Sequence, residues 1–520
     1  MQTEVHRLHR WSWLFIAAGT LGALILPIVG VVIASRGVLL SRMDLLAVLL
    51  VVPAFVYAFI RQRVYNYRFT ESELVVRDGL LTKNVRHISY ERIHNVALVR
   101  NPIHRMLGVT TARIETAAGG KPEALLRVVS LEAAEELRCY TLGEERKAAS
   151  TDSAETTGEA TPLLQVPDRE LVRLGLISNR GFLVVAAALG AASQVQWWDQ
   201  DWFTEQNWPG IYESVRAKAP AWASWLFDSG ALAGRVFLGL AVLLLLLVII
   251  RVFSMAWYLM RYRGFTLHQK DEDLRADYGL WPEVSSVIPV HRIQLVTVSV
   301  SLLHRWFGRA SIDLETAGAA DTNSGLGGGA SGVANTRQWL APIIETDRAP
   351  GLVREVLPEV DIEGVEWKPI EARAVQRIVN RIAIAVTPVT IGMAALFALT
   401  PIPLSGWHAL WLPPVVLTAA WLASRQWVRR AGYALTDRAI LFRSGWIGRK
   451  ISAVRFVNMQ TVSMTQSPFD HRKRMASVAV DTAGAGSMGH RIHIPFLDVE
   501  VAEGILRRLY DETRATEFRW

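Results

Sequence analysis

Cysteine is almost absent from this chain: Cys139 is the only one among 520 residues. A lone cysteine excludes an intrachain disulfide and a metal site built from cysteine thiolates. The 12 histidines offer no metal site either, because none has the His-x-x-x-His spacing beside an acidic residue that one helix face needs. No nucleophile, base and orienting residue come together. We therefore expect no enzyme activity, no cofactor and no bound metal.

Charge is also scarce, since 20% of the residues are charged while 51% are hydrophobic. This balance is more apolar than in most soluble domains. About twenty helical residues, at ~1.5 Å each, cross a hydrocarbon core of about 30 Å. The sequence therefore predicts a membrane protein with six crossings, at the apolar runs 11–33, 45–60, 182–195, 236–260, 382–399 and 407–423. Two of these runs are short, and a buried core helix is the alternative for 182–195.

The runs form three pairs, so the chain is predicted to make three helical hairpins. Positive residues mark the cytoplasmic flanks of membrane helices. Arginines concentrate on the side where the termini and the segments between hairpins lie, as at Arg61, Arg63, Arg429 and Arg430. We therefore expect a multi-pass protein of the cell membrane with both termini cytoplasmic. A signal peptide at the start of the chain is the alternative, but no small-residue cleavage site follows it.

The net charge of +8 has the same explanation. A basic chain is a candidate for nucleic-acid binding, but here the arginine excess lies at helix ends. Membrane orientation and contact with anionic lipid headgroups account for it. Membrane lipids are therefore predicted partners, and nucleic acid is not.

A three-residue signature recurs three times along the chain. A Gly is followed fifteen residues later by His or Gln, and twenty-two residues after that by Thr. The copies are Gly79, His94 and Thr116, then Gly279, Gln294 and Thr316, then Gly445, Gln460 and Thr482. Because both intervals are identical each time, one module is used three times, once after each hairpin.

Alternating apolar and polar residues indicate β-strands in each copy. Residues 67–77 (YRFTESELVVR) and 433–443 (YALTDRAILFR) alternate around a polar turn, the pattern of a β-hairpin with one buried face. About seven strands and one C-terminal amphipathic helix are expected in each copy. This order is typical of a pleckstrin-homology-like barrel whose open end is closed by the helix.

The sequence also resembles a known family. Residues 67–81 (YRFTESELVVRDGLL), 92–119 (RIHNVALVRNPIHRMLGVTTARIETAAG) and 291–318 (HRIQLVTVSVSLLHRWFGRASIDLETAG) are similar to the bacterial pleckstrin-homology-like (PH-like) domain of the second type. Members of that family carry paired membrane helices before each domain. The resemblance covers nearly the whole chain and implies a multi-domain member with three copies. It also implies a non-enzymatic binding scaffold, forming a homo-oligomer or a complex with a shorter single-domain relative.

The predicted fold is thus membrane α plus β: three transmembrane hairpins, each followed by a PH-like β-barrel with a C-terminal helix. The predicted boundaries are 1–63 for hairpin 1, 64–143 for PH-like domain 1, 144–176 for a linker, 177–262 for hairpin 2 with a Trp-rich external loop, 263–360 for domain 2, 361–376 for a linker, 377–430 for hairpin 3, and 431–520 for domain 3.

Two arginines at a fixed spacing are candidate binding residues in the first two copies. They are Arg92 with Arg105, and Arg292 with Arg305. On one rim of the module they could bind a phosphate or an acidic peptide through charge-assisted hydrogen bonds. The alternative is that each arginine ties a turn to a backbone carbonyl or a carboxylate. The third copy has Asn458 and His471 at these positions, so a shared ligand is expected on the first two copies.

Tryptophans crowd the connection between the third and fourth helices. Their rings favour the membrane interface, because they are apolar but carry an N–H that needs a partner. We predict interfacial contacts there, with a surface for a partner protein or amphipathic peptides as the alternative. The residues are Trp197, Trp198, Trp202 and Trp208, followed by Trp222 and Trp225.

Together these features predict an integral membrane scaffold with three cytoplasmic binding domains. Its expected setting is a membrane complex for envelope maintenance or for tolerance of membrane-active peptides. The alternative is a component of a transporter or exporter. Against it, no intramembrane Asp, Glu, Lys or His recurs within the predicted hairpins to mark a transport path, although Arg251 does lie within an apolar run.

Overall fold

The structure is a computed structural model that describes most of the chain. The described residues are 5–7, 9–10, 12–17, 43–70, 72–79, 83–90, 93–116, 124–141, 162–178, 182, 213, 217–218, 231–270, 273–316, 337–399, 411–482 and 491–515.

Each copy has the same order of elements: a short strand before the long helices, three strands after them, then three more strands and a terminal helix. The first copy consists of β1 (Val5–Arg7), α1 (Met43–Val64), β2 (Asn66–Phe69), β3 (Glu73–Asp78), β4 (Asn84–Ser89), β5 (Ile93–Arg100), α2 (Pro102–Met106), β6 (Val109–Thr116), β7 (Ala124–Ser130) and α3 (Leu131–Thr141). Residues 12–17 are helical as well.

The second and third copies repeat this order. The second consists of β8 (Leu164–Gln165), α4 (Asp168–Ile177), α5 (Ala231–Tyr262), β9 (Thr266–Lys270), β10 (Asp273–Tyr278), β11 (Glu283–Pro289), β12 (Ile293–Val300), α6 (Leu302–Trp306), β13 (Arg309–Thr316), β14 (Arg337–Glu345) and α7 (Ala349–Val356). The third consists of β15 (Lys368–Pro369), α8 (Ala374–Leu399), α9 (Leu412–Arg430), β16 (Gly432–Leu435), β17 (Ala439–Ser444), β18 (Arg449–Arg455), β19 (Met459–Thr465), α10 (Pro468–His471), β20 (Met475–Thr482), β21 (Ile492–Asp498) and α11 (Val499–Ala515).

The strands form four antiparallel sheets, and two of these sheets cross from one copy to the next. Their strand orders are β1-β2-β3-β4, then β7-β6-β5-β11-β10-β9-β8, then β14-β13-β12-β18-β17-β16-β15, and finally β19-β20-β21. We call the β5–β11 contact the first junction and the β12–β18 contact the second junction.

No sheet among the described strands closes on itself, so the predicted barrel is not confirmed. The reason lies in strand pairing. Neighbouring strands of one copy, such as β4 and β5, belong to different sheets. The edge of β5 pairs with β11 of the following copy. Each copy is therefore sheet-rich and PH-like, with strands shared across its boundary.

The three-residue signature has a structural cause in every copy. The Gly directly follows β3, β10 or β17 and has a positive φ: 119° at Gly79, 103° at Gly279 and 98° at Gly445. The His or Gln falls at a β-bulge, where the ladder skips one residue. The Thr pairs with the residue just before that bulge. The constant intervals therefore record a constant turn and a constant strand register.

Two helices among the described residues are long and apolar enough to cross a membrane, Gly239–Tyr262 and Ala374–Ala395. The side chains of α5 are mostly exposed although many are Leu or Val, as lipid contact requires. Of the other predicted crossings, 45–60 lies within α1, and 407–423 overlaps α9, which packs on α8. The runs 11–33 and 182–195 lie mostly outside the described residues.

A pair of short strands holds the two ends of each helical segment together. β1 pairs with β2, β8 with β9, and β15 with β16. In each case the first strand precedes the long helices and the second follows them. The chain therefore leaves and re-enters each module at the same place.

Buried ion pairs fasten two modules to their helices. Arg309, at the start of β13, donates two hydrogen bonds to Glu170 of α4, at 2.8 and 3.0 Å. In the third copy the charges are exchanged, since Arg377 of α8 donates to Asp470 of α10 at 2.7 Å. These hydrogen bonds lower the pKa of Glu170 below its usual value. In the first copy a ring contact takes this place, with Phe15 stacked on His104 at 4.2 Å between centroids.

Helices α4 and α5 approach each other closely at Gly175. A Cβ at this position would overlap the backbone of Met255 on α5, so only glycine allows the contact. Beside it, Arg251 donates hydrogen bonds of 3.0 Å to the carbonyl oxygens of Leu176 and Ser178. These carbonyls belong to the last turn of α4 and the residue after it, where no intrahelical partner exists.

The conserved geometry of the turn predicts the effect of Gly445→Ala. An L-residue with positive φ costs about 1–2 kcal/mol, and the new Cβ would also overlap the Gly448 carbonyl oxygen. We expect the variant to lose at least ~2 kcal/mol of unfolding free energy, measured by thermal unfolding of the purified protein in detergent.

The matched control is Gly504→Ala in α11, where a Cβ meets no atom within 4 Å. Alanine in a helix interior should stabilise by about 0.5–1 kcal/mol. A Gly445→Ala protein as stable as the unsubstituted chain would contradict the explanation of the signature.

Candidate functional site

The arginines singled out from the sequence lie at the junctions between copies. Arg292 extends from the second copy to the first, where it donates a hydrogen bond of 2.6 Å to the carbonyl oxygen of Ile93. Arg105 of α2 forms an ion pair of 3.6 Å with Glu283 at the start of β11. Arg92 lies outside the described residues. These contacts agree with the alternative in which such arginines tie a turn to a carbonyl or a carboxylate.

The third copy keeps the Arg292 contact with a different residue. Asn458 occupies the equivalent position and donates a hydrogen bond of 2.6 Å to the carbonyl oxygen of Ile293. Arg455 adds a hydrogen bond to the same oxygen at 3.0 Å. The third copy departs from the family pattern at this position but keeps the junction contact, because Arg292 and Asn458 each supply an N–H donor to the equivalent carbonyl oxygen.

Burial at the junctions lowers the pKa of two of these arginines. Removal from water lowers the pKa of Arg292, with a small opposing effect from Asp273. It also lowers the pKa of Arg455, which Glu359 partly offsets. Both groups still carry their charge at neutral pH. Their donors are directed at backbone carbonyls of the neighbouring copy, so their role in the structure is to hold the junction.

Arg305 belongs to a different arrangement at the second junction. It lies on α6, near Arg449 at the start of β18, Arg430 at the end of α9 and Arg443 on β17. We call these four residues the arginine cluster. No acidic side chain among the described residues pairs with any of them. Burial and the positive charges of Arg305, Arg430 and Arg443 lower the pKa of Arg449.

The remaining contacts of the cluster leave donors available. Arg430 donates to the carbonyl oxygen of Trp446 at 3.1 Å. Arg443 lies over the ring of Trp367, 4.8 Å from its centroid, and its buried Nε has no hydrogen-bond partner. Arg305 and Arg449 are exposed to solvent. Guanidinium groups with available donors are the side chains that bind anions by charge-assisted hydrogen bonds.

The first junction provides an internal comparison, because the repeat places four residues at the same positions. Shifting by the repeat interval, Arg305 corresponds to Arg105, Arg430 to Gly264, Arg443 to Asp277 and Arg449 to Glu283. Their formal charge is therefore −1 at the first junction and +4 at the second. The backbone arrangement is shared, so the positive cluster is a property of the second junction and not of the fold.

The cluster lies at the end of α9, which packs on α8. Arg430 is the last residue of α9, and the turn that carries Trp446 follows β17. Exposed apolar side chains lie close to its members in the sequence: Trp306 is 82% exposed, Leu302 58% and Ile447 54%. Basic groups beside exposed apolar tips are typical of a surface that rests on lipid headgroups.

Sequence reasoning found Arg305 and missed the other three members of the cluster. They come from the end of a helix, a strand and the strand after it, so no local motif joins them. One signal was available. When the second and third copies are aligned on their signature, Gly264, Asp277 and Glu283 are all replaced by arginine.

Two other predictions about sites have different outcomes. The tryptophans Trp197, Trp198, Trp202 and Trp208 lie outside the described residues, so their interfacial role stays a prediction. Among the residues that the structure describes, no group of three or more His, Cys, Asp or Glu side chains is placed to hold a metal ion.

Sheet-rich repeats attached to apolar helices define the class: a membrane protein with repeated PH-like modules. A family model for the bacterial PH domain matches three segments, residues 16–144, 229–354 and 381–513. This chain belongs to the bacterial PH domain family. The predicted resemblance and the threefold repeat are thereby confirmed.

One relative is similar along most of the chain. The chain is 23% identical over 448 residues to the UPF0699 transmembrane protein YdbT of Bacillus subtilis (strain 168). The similarity covers 83% of this chain and 82% of the relative. It supports a membrane location for this protein. No solved structure matches the chain.

The first junction suggests how to relieve the repulsion at the second. In an Arg449→Glu variant, the new carboxylate should pair with Arg305 as Glu283 pairs with Arg105. Exposed pairs of this kind contribute about 0.2–1 kcal/mol. We therefore expect the unfolding free energy to rise by about 1 kcal/mol or less, measured by thermal unfolding in detergent at low salt.

Arg449→Gln is the control, since it removes the repulsion without adding a partner and should stabilise less. High salt should shrink both gains, because it screens exposed charges. An Arg449→Glu protein less stable than the unsubstituted chain would show that the cluster is not under electrostatic strain.

Proposed function

We propose that this protein is an integral membrane scaffold that presents three PH-like modules to the cytoplasm on three transmembrane hairpins. The observation that carries the proposal is the pair of seven-stranded sheets. Because a backbone ladder crosses each junction, the modules form one continuous platform and not three independent domains. Such a platform is suited to assembling partners at a membrane.

The orientation rests on two independent features. Each hairpin begins and ends at a strand pair of its own module, so all modules belong on one side of the membrane. Arginines such as Arg61, Arg63, Arg429 and Arg430 lie at the module ends of the helices, and the positive-inside rule makes that side cytoplasmic.

We further propose that the arginine cluster binds the phosphate of an anionic lipid headgroup. The cluster combines four positive charges, an unpartnered Arg443 Nε and neighbouring exposed Trp306 and Leu302. Burial lowers the pKa of Arg449, and so does repulsion from the other three arginines, which an anion at this position would offset. The proposed activity is binding and not catalysis.

The transporter alternative rested on Arg251 within an apolar run. In the structure this side chain donates to carbonyl oxygens at the end of α4. A structural role in joining α4 to α5 is thus sufficient to explain its presence. The setting that we propose, envelope maintenance or tolerance of membrane-active peptides, draws on the membrane platform and on the Trp-rich connection of the sequence.

Lipid retention tests the role of the arginine cluster. The protein is purified in detergent with equal amounts of phosphatidylglycerol and phosphatidylcholine, and the lipids that remain bound are weighed by native mass spectrometry. We expect the unsubstituted chain to retain the anionic lipid in preference. An Arg443→Asp/Arg449→Glu variant, which copies the first junction, should lose most of that preference while remaining folded.

Arg507→Glu on α11 is the matched control, because Arg507 is a highly exposed arginine outside the cluster. It should leave lipid retention unchanged. A further arm adds inorganic phosphate: competition at millimolar concentration would identify free phosphate as the preferred anion. Equal retention of both lipids by the unsubstituted chain would overturn the lipid proposal.

Crosslinking in native membranes tests the scaffold itself. A lysine-reactive or photoreactive crosslinker followed by mass spectrometry should give links between this protein and neighbouring polypeptides, either further copies or a shorter single-domain relative. Recovery of the chain only as an isolated monomer would count decisively against a scaffold.

A further inference from the structure

The two junctions share one register, with three residue pairs in the first and six in the second. In the first, Val99 of β5 pairs with Val284 of β11 and Leu98 pairs with Ser285. In the second, Ser299 of β12 pairs with Lys450 of β18 and Val298 pairs with Ile451. When each residue of the first pairs is replaced by its equivalent in the following copy, the pairs of the second junction result. The strand register is therefore identical. One docking operation has therefore been used twice along the chain.

The first and the third copy each have one strand edge at the equivalent position that no described strand covers. The equivalent of β11 and β18 in the first copy is β4, the last strand of its sheet. The equivalent of β5 and β12 in the third copy is β19, also at the end of its sheet. β4 and β19 belong to separate sheets, so one chain does not satisfy both edges by pairing them with each other.

Exposure distinguishes these terminal edges from the internal ones. Residues Asn84, Val85, Arg86 and His87 of β4 are all exposed, whereas none of the equivalent residues in β11 or β18 is. In β19, Thr461 and Ser463 are exposed, and the equivalent residues of β12 are buried. An uncovered strand edge is a template for pairing with another chain.

We infer that β19 of one molecule pairs with β4 of a second copy of this chain, head to tail, in the register of the internal junctions. Applying the repeat interval to the known pairs places Met464 opposite Val85, Thr465 opposite Asn84 and Ser463 opposite Arg86. A second copy is the occupant because its β4 is the same element as β11 and β18, which occupy this place at the two internal junctions. The contact joins two different surfaces, so repetition gives a ring or a filament.

This inference extends the scaffold proposal and is independent of the arginine cluster. It concerns β4 and β19, whereas the cluster lies at the second junction inside one chain. Lipid retention and head-to-tail pairing have separate readouts. Loss of one therefore leaves the other standing.

The register makes the inference testable with single cysteines. Two differently tagged full-length chains, each with Cys139→Ala, are co-expressed, one carrying Val85→Cys and the other Met464→Cys. Directly opposite residues in an antiparallel pair lie about 4.5–5.5 Å apart between Cα atoms, within the range that a disulfide spans. We expect a disulfide-linked species that carries both tags when the native membranes are oxidised, and its loss on reduction.

The control moves one cysteine by two residues, using His87→Cys with Met464→Cys. That displacement adds about 6.6 Å along the strand, so the Cα atoms lie beyond the reach of a disulfide. The correct pair should crosslink at least tenfold more than this control. Equal yields, or no species with both tags, would overturn the inference.

A chain that carries Val85→Cys and Met464→Cys together separates pairing between molecules from closure within one. Head-to-tail assembly predicts a ladder of disulfide-linked multimers on a denaturing gel. A product of monomer size with an internal disulfide would overturn the role of a second copy. Disulfides from either cysteine to a different protein would overturn it as well.

Discussion

The backbone ladder between consecutive copies is the interaction on which this structure depends. β5, the fourth strand after α1, pairs with β11, the third strand after α5. The equivalent strands of the next two copies, β12 and β18, pair in the same way. Ladder hydrogen bonds tolerate no shift of register, since a slip by one residue would turn every side chain to the opposite face. The turn glycine, the bulge and the terminal Thr must keep constant spacing for this reason. The constant spacing of the repeat in the sequence follows from that requirement.

Side-chain chemistry at the junctions varies far more freely than the ladder. The carbonyl oxygen at the start of the fourth strand accepts from Arg292 in one junction and from Asn458 and Arg455 in the other. The ties between modules and helices show the same freedom: Glu170 with Arg309 becomes Arg377 with Asp470, with the charges exchanged. In each case only a donor and an acceptor are needed. The backbone arrangement is thus constrained while the residues that stabilise it are replaceable.

This freedom allows equivalent positions to acquire different properties. At the first junction Arg105 faces Glu283, and the local charge is nearly balanced. At the second, Arg305 faces Arg449, and two more arginines increase the repulsion. Such a concentration of like charge is unfavourable by itself, and an anionic lipid headgroup, as we propose, would offset it. The site therefore departs from the rule of local charge balance at the point where a binding role is proposed.

Sequence patterns alone determined the threefold module, its strands, its terminal helix and those apolar helices that the structure describes, because all of these depend on local periodicity and composition. Residues 67–77 and 433–443 are hairpins as their alternation predicts. Pairing between copies could not be predicted, since alternation tells which face of a strand is buried but not which strand lies beside it. The arginine cluster was hidden for a related reason: Arg305 and Arg449 are 144 residues apart and meet only because β12 pairs with β18. The tertiary structure decided both, by bringing the edge of one copy against the edge of the next.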